Sequence, residues 1–440
     1  MIEGEIRPVT LMARWDGGEA GYDGRIGLAP LGGEGALTLE ATDLGPVMAL
    51  AGQPAFELPR GLGRDRIAVN AGLTLASEGS VHLREGSFSF DDNQLTGDAD
   101  ILPGDDRPMI RLRLQGGALD LGGLSEGDDG DGTGAAPAGW SREPIDVSGL
   151  FAADAEAALA LEGLDLGMAT LDGVDLRATL TAGRLVLDLR RIAAYGGSLA
   201  GQYVVNGRGG LSMAADVTMQ DMQLAPLLTE FAGYDRLEGT GSGAVDILMI
   251  GDDMATLMNS VSGAGNVEFG QGAILGLDIW GMIRNLDTSY QGEGSRTVYD
   301  SLSASFAIAG GVLSNDDFLM DSSVGRVTGA GTVGIGDRVL DYTVTPEVLA
   351  GDAGGLRVPL RISGAWSDPN YSLDLEALAG QELEGQIDAL EGQATEAVQG
   401  AVADALGIEA ETVEEAEDTL EERLRQEAAD QLQRLLGGGN

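Results

Sequence analysis

Apolar and polar residues alternate with a period of two along most of the first 373 positions, and this limits the chain more than any other feature. Leu185, Leu187 and Leu189 alternate with Arg184, Val186, Asp188 and Arg190. Leu340, Tyr342 and Val344 alternate with Val339, Asp341 and Thr343, and Val358, Leu360 and Ile362 with Arg357, Pro359 and Arg361. Successive side chains of a strand point to opposite faces, so each run reads as a strand with one apolar and one wet face. Between the runs stand Asp172-Gly173, Ala182-Gly183, Asn206-Gly207 and Gly310-Gly311, residues suited to the positive φ of tight hairpins. The reading is mainly β, an antiparallel meander. At roughly 11–12 residues per strand and turn it would hold on the order of 30 strands.

Three stretches break the alternation. Residues 121–139 lose apolar periodicity and read as an exposed linker. A short helix is expected over 222–231, with Leu224, Leu227, Leu228 and Phe231 on one face. A second is expected over 276–286, with Asp278 near its start and Ile279, Trp280, Ile283 and Leu286 at helical spacing. From Asp374 onward there are 18 acidic and 3 basic residues, and Val413, Ala416, Leu420, Leu424, Ala428, Leu432 and Leu435 fall at helical steps. The divisions are therefore 1–120, the first part of the β region; 121–144, an acidic Gly-rich linker or loop; 145–373, the second β region; and 374–440, an acidic amphipathic helical tail, read first as a solvated helix and alternatively as a docking helix for a protein partner.

Composition removes most chemistries. All 26 basic residues are Arg, there is no Cys, and His82 is the single histidine. Thiol nucleophiles, Schiff-base lysines and P-loop lysines are thereby excluded. A Ser-His-Asp triad would have to use His82, and no G-x-S-x-G elbow accompanies it; His82 reads instead as a surface residue on a strand's polar face. A net charge of −45 repels phosphate backbones, so nucleic acid is not an expected partner. The glycines at 239–243, 263–265 and 329–331 precede strand-like runs rather than helices, which removes the dinucleotide reading. The acidic loop at 126–132 fails the EF-hand spacing, with Thr133 and Trp140 where acids are needed. No cofactor or metal is expected. No catalytic pair stands out among the 71 acids, and a carboxylate-dependent hydrolase would need one of strongly raised pKa.

A long row of strands must hide its apolar face by packing sheet on sheet, by closing, or by curling into a trough that something else covers. Aromatic residues are 5% of this chain and glycines number 70, so the large side chains of a sandwich core are scarce. A curled trough lined by small aliphatics leaves room for acyl chains. The apolar-face candidates are Leu185, Leu187, Leu189, Leu340, Tyr342, Val344, Val358, Leu360 and Ile362. In a closed sandwich with a scaffolding role, the alternative, the same nine are plain core.

Residues 261–375 resemble the C-terminal region of the AsmA family. The resemblance lies in the run Val261 to Leu286 (VSGAGNVEFGQGAILGLDIWGMIRNL), in Phe306 to Met320 (FAIAGGVLSNDDFLM), and in Gly329 to Gly336 (GAGTVGIG). Leu340-Asp-Tyr342 and Val358 to Pro369 (VPLRISGAWSDP), with Asp374-Leu-Glu behind, complete the order. Phe88 to Ala99, Trp140 to Asp146 and Asp221 to Leu228 extend it more loosely to about residue 60. It implies a Gram-negative cell-envelope protein related to bridge-like lipid-transfer proteins. Such a protein is anchored in the inner membrane by an N-terminal helix and extends a β-groove into the periplasm, with roles in outer-membrane assembly and phospholipid movement. The implied fold is an elongated antiparallel β-groove with two short helices and the acidic tail. The implied function is non-enzymatic, with phospholipid acyl chains as partners. Met1 would fall inside the family's middle region, so the membrane helix is expected to be missing from these residues.

Overall fold

In the computed structural model, the described residues are 6–28, 30–46, 60–124, 139–167, 169–348 and 357–374. The alternating runs become β1 (Arg7–Trp15), β2 (Gly18–Leu28), β3 (Leu31–Ala41), β4 (Ile67–Leu75), β5 (Val81–Phe90), β6 (Asn93–Leu102) and β7 (Met109–Asp120). After the break come β8 (Asp154–Asp165), β9 (Thr170–Leu171), β10 (Gly173–Thr181), β11 (Arg184–Ala194), β12 (Gly197–Asn206) and β13 (Ser212–Gln223). Helix α1 (Leu224–Ala232), β14 (Leu237–Ile250), α2 (Met254–Ser260), β15 (Ser262–Leu277), α3 (Ile279–Asn285), β16 (Gln291–Tyr299) and β17 (Ser301–Ala309) follow. The last strands are β18 (Val312–Asp321), β19 (Gly325–Gly334), β20 (Val339–Val348), β21 (Leu360–Ala365) and β22 (Asp368–Leu373).

All 22 strands belong to one sheet. Strands β1 to β7 pair in sequence, each antiparallel to the next. β8 lies parallel to β7, with Met109 beside Asp154 and Asp120 beside Asp165. β9 and β10 share the far edge of β8. β10 to β15 then continue antiparallel, β16 and β17 share the far edge of β15, and β17 to β22 complete the row. The sheet curls but does not close.

Four expectations need correction. The strands among the described residues number 22, not about 30; β14 runs to 14 residues and β15 to 16, and helices and loops take up further chain. The sheet is mixed, since one pair is parallel. There are three short helices among the described residues rather than two, the third being α2. An open sheet also removes the closed sandwich on which the scaffold alternative rested. The tail and the centre of the 121–144 linker lie outside the described residues.

Helices α2 and α3 begin where a side chain can replace the missing backbone acceptor. Asp253 accepts from the Thr256 N–H at 2.8 Å to start α2, and Asp278 accepts from the Gly281 N–H at 2.9 Å to start α3. α1 stops at Gly233, whose φ of 63° forms a left-handed cap.

The abundance of glycine follows from the register. Aromatic side chains on the apolar face lie over a glycine of the neighbouring strand: Phe269 over Gly241, Phe306 over Gly265 and Tyr299 over Gly272. A Cβ at Gly265 would stand 2.5 Å from the Phe306 ring, and one at Gly241 2.5 Å from Phe269. Small residues therefore let a few rings lie flat along the sheet. Bulges between Leu189 and Ile192, between Met219 and Met222, and between Asn315 and Phe318 add local bend and twist.

Asp91 fixes the loop that leads into β4. Its carboxylate accepts backbone N–H bonds from Gly61 (2.7 Å), Gly63 (3.1 Å), Arg64 (3.2 Å), Asp65 (2.8 Å) and Arg66 (2.9 Å). Burial pushes this carboxyl's pKa up, but the N–H groups of Arg66, Asp65, Gly61 and Gly63 together outweigh that and hold it below the ordinary range. Charge-assisted bonds of this kind put the cost of Asp91→Ala at about 2 kcal/mol at neutral pH. Because the folded pKa is lowered, the contribution is complete above the unfolded value of about 4 and is lost as pH falls through the folded value. The gap in urea midpoint between wild type and Asp91→Ala should therefore be widest at pH 7 and shrink progressively as pH falls below about 4. A gap that does not change with pH would refute the carboxylate's role.

Candidate functional site

Register carries one apolar face across the whole sheet. From β10 to β13 the matched rows are Leu180–Leu185–Val205–Met213, Ala178–Leu187–Tyr203–Ala215 and Leu176–Leu189–Gly201–Val217. Across the parallel seam, Leu114 lies beside Leu159 and Leu112 beside Ala157, so the face continues into the first half of the chain. It then passes through Ala99 and Leu83 to Leu73 and Gly35.

All nine residues singled out from the alternation fall on or against this face, in two settings. Leu185, Leu187 and Leu189 lie on β11 and are half-buried, as are Leu340 and Tyr342 on β20 and Ile362 on β21. Val344, Val358 and Leu360 are buried in a core cluster with Ile279, Trp280, Met282 and Ile283 of α3. Val358 precedes β21 rather than lying within it, and like Leu360 it is fully buried. One part of the face is thus open while another is roofed by a helix. Leu83, Leu112, Leu114, Leu159 and Leu176 also belong to the half-buried face; the same alternation marks them, and they were missed among the nine.

Both ends of the strands are finished by packed structure in the second half of the chain. At one end α3 presses Met282 and Ile283 onto Tyr299, Leu302, Met320 and Val327. At the other, Leu257 of α2 packs with Leu211, Met249, Val261 and Ile308, joined by Ile145 and Val147. The segment before β8 runs along this second end. Trp140 donates its Nε1–H to the Ile335 carbonyl at 2.9 Å and stacks under the Arg338 guanidinium at 4.0 Å, while Ile145 N–H donates to the Asp252 carbonyl at 2.8 Å.

The tyrosines in and beside the α3-roofed cluster are partly desolvated. Burial pushes the Tyr342 hydroxyl up to about 12 and the Tyr299 hydroxyl up to about 12, with smaller contributions from Asp317 and Glu238. The face opposite the apolar one is wet and laddered with charge. Arg111 meets Glu156 at 3.1 Å, Arg84 meets Asp100 at 2.6 Å, and Arg361 meets Asp341 at 3.0 Å.

His82 stands on this wet face, with Nδ1 2.6 Å from Asp100 Oδ1 and Nε2 3.0 Å from Ser80 Oγ. The order superficially matches a hydrolase triad. However, the Ser80 hydroxyl donates to Glu78 at 2.9 Å and is only 2% exposed, so it is neither free to give its proton to the imidazole nor open to a substrate. These contacts close the β4–β5 turn.

Residues 135–318 match the model of the AsmA family. The match takes in Trp140 to Asp146, Asp221 to Leu228, the run from Val261 to Leu286 and the run from Phe306 as far as Phe318, while Phe88 to Ala99, Gly329 to Gly336, Leu340 to Tyr342 and Val358 to Pro369 lie outside it. No curated protein and no solved structure matches the chain. No helix among the described residues is long and apolar enough to cross a membrane.

Proposed function

We propose, taking residues 135–318 as an AsmA-family region of an envelope-associated chain, that this protein is non-enzymatic and carries phospholipid between the inner and outer membranes. It would thereby support outer-membrane assembly from the periplasm. Acyl chains lie on the apolar face, and headgroups stay at its wet margin. The observation that carries the reading is an apolar face continuous across an open sheet, half-buried over much of its length and roofed by α3 at one end of the later strands. About twenty rungs at about 4.8 Å give an apolar path of roughly 95 Å. A chain kept on that path avoids exposing hydrocarbon at ~0.8 kcal/mol per CH₂. The partners in this reading are phospholipid, the inner membrane through an anchoring segment, and a protein docked by the acidic tail.

Parity supplies the test. Leu187 and Val186 are neighbours on β11 with side chains on opposite faces of the sheet. Native mass spectrometry of chain purified from a Gram-negative envelope, followed by lipid extraction, should find several phospholipids per chain. They should be retained in Val186→Asp and largely lost in Leu187→Asp and in Leu340→Asp. Leu360 is unsuitable for this purpose, because an aspartate at a fully buried position would report on folding instead. A folded wild-type chain without lipid, or equal loss from both β11 variants, would remove lipid carriage as the function.

A further inference from the structure

The wet face holds a cleft of about 460 Å³ over β5 to β8 and β10, whose lining includes four arginines: Arg84, Arg111, Arg113 and Arg177. That is four of the 26 arginines of a chain with net charge −45. Two register rows cross the cleft. In the first, Asp100, Arg111, Glu156 and Thr179 stand side by side on successive strands. Its charges alternate and are satisfied: Arg84 and His82 each reach Asp100 at 2.6 Å, and Arg111 reaches Glu156 at 3.1 Å. In the second row stand Asp98, Arg113, Ala158, Arg177 and Asp188. Here a methyl group occupies the place between two arginines that Glu156 fills one row away.

The charges show the consequence. Arg113 reaches Asp98 only at 3.9 Å, and its side chain is 82% exposed. Arg177 has no ion-pair partner among the described residues, and Thr179 brings a hydroxyl to the same cleft. Asp98, Asp100 and Glu156 line the cleft with the four arginines, and Asp188 stands beside Arg177 in the row without forming an ion pair with it. The strands that bear Arg113 and Arg177 are two rungs apart, about 9.6 Å. Two extended guanidinium groups can close on one oxyanion across that gap, each offering paired N–H donors.

We infer that Arg113 and Arg177, above the Ala158 methyl, form a binding site for a phosphate group, either free inorganic phosphate or the phosphate of a lipid headgroup. The site lies on the face opposite the apolar one, so a lipid seated on the apolar face does not reach it. The inference is therefore independent of the lipid-carriage reading.

The test uses the full chain at low ionic strength, where exposed charges are least screened. Phosphorus NMR line broadening is followed on titration with inorganic phosphate and, separately, with dihexanoyl phosphatidic acid below its micelle concentration. Saturable binding should weaken about tenfold or more in Arg177→Gln and vanish in Ala158→Glu, which supplies the missing carboxylate internally. It should be unchanged in Arg25→Gln, a wet-face arginine on β2. Circular dichroism should show Ala158→Glu folded, and its urea midpoint should not fall, because the new carboxylate gains two guanidinium partners. Binding of inorganic phosphate identifies a free anion as the ligand; binding of phosphatidic acid alone, with the same variant dependence, identifies a headgroup. Absence of saturation by both probes, or saturation untouched by Arg177→Gln and Ala158→Glu, would overturn the site.

Discussion

Ile283→Asp is expected to destroy the cooperative folding of the second half of the sheet, at a cost of about 5 kcal/mol or more. Helix α3 has seven residues, too few to persist alone. It exists because Met282 and Ile283, both fully buried, fill the apolar face between Leu277, Tyr299, Met320 and Val348. Removing a buried aliphatic side chain costs about 2–5 kcal/mol in lost transfer and residual cavity. The aspartate adds the desolvation of an unpaired carboxylate among aliphatic and aromatic groups, a further few kcal/mol. The sum rivals the whole stability of an ordinary domain, about 5–15 kcal/mol. Trp280 adjoins position 283 and is itself 4% exposed, so its fluorescence in a urea titration reports the loss directly. Ile283→Ala should cost about 3 kcal/mol, and Arg284→Gln, on the exposed side of the helix, within about 0.5 kcal/mol. An Ile283→Asp chain that unfolds at the wild-type midpoint would mean that α3 does not hold the end of this face.

What the sequence could reveal depended on the range of the interaction concerned. Period-two runs such as Leu185–Leu189 identify both the strand and the parity of its faces, because alternation is local. The nine apolar-face residues could therefore be placed on or against one face without knowing any strand's partner. Which of them would be roofed could not be read, since the landing place of α3 on Val344 and Leu360 is set by contacts up to about eighty positions distant. The parallel seam is hidden for the same reason: nothing within β7 or β8 says that the chain returns before pairing. Helix 276–286 was anticipated but starts later, at Ile279, because β15 continues to Leu277 and Asp278 supplies the cap. The seven-residue α2 is too short to show a helical period, and its one local signal was Asp253 placed three residues before Thr256. The glycine content was conspicuous, but its meaning appeared only with the register that sets Gly265 under Phe306.

The curl itself can be tested at Gly201. This residue lies on β12 with a φ of 139°, beside the bulge between Leu189 and Ile192 and opposite Val217 of β13. A Cβ there would overlap the Asp216 carbonyl oxygen and stand 2.8 Å from the Val217 Cα, both backbone atoms that cannot turn aside. Gly209, in the β12–β13 turn, also has positive φ, 72°, but nothing lies within 4 Å of its added Cβ. The two alanine variants therefore separate conformational strain from close approach. Gly209→Ala carries the strain alone, about 1 kcal/mol. Gly201→Ala carries greater strain plus a clash that only a shift of β13 relieves, and is expected to cost about 4 kcal/mol. Urea midpoints measure both. The larger loss should come with weaker lipid retention in the surviving folded fraction, because a β12–β13 pair forced apart cannot keep Tyr203 beside Ala215 on one continuous apolar face. Equal costs for the two variants would show that β13 yields freely, so that the bend at this point is set by the bulge and not by the glycine.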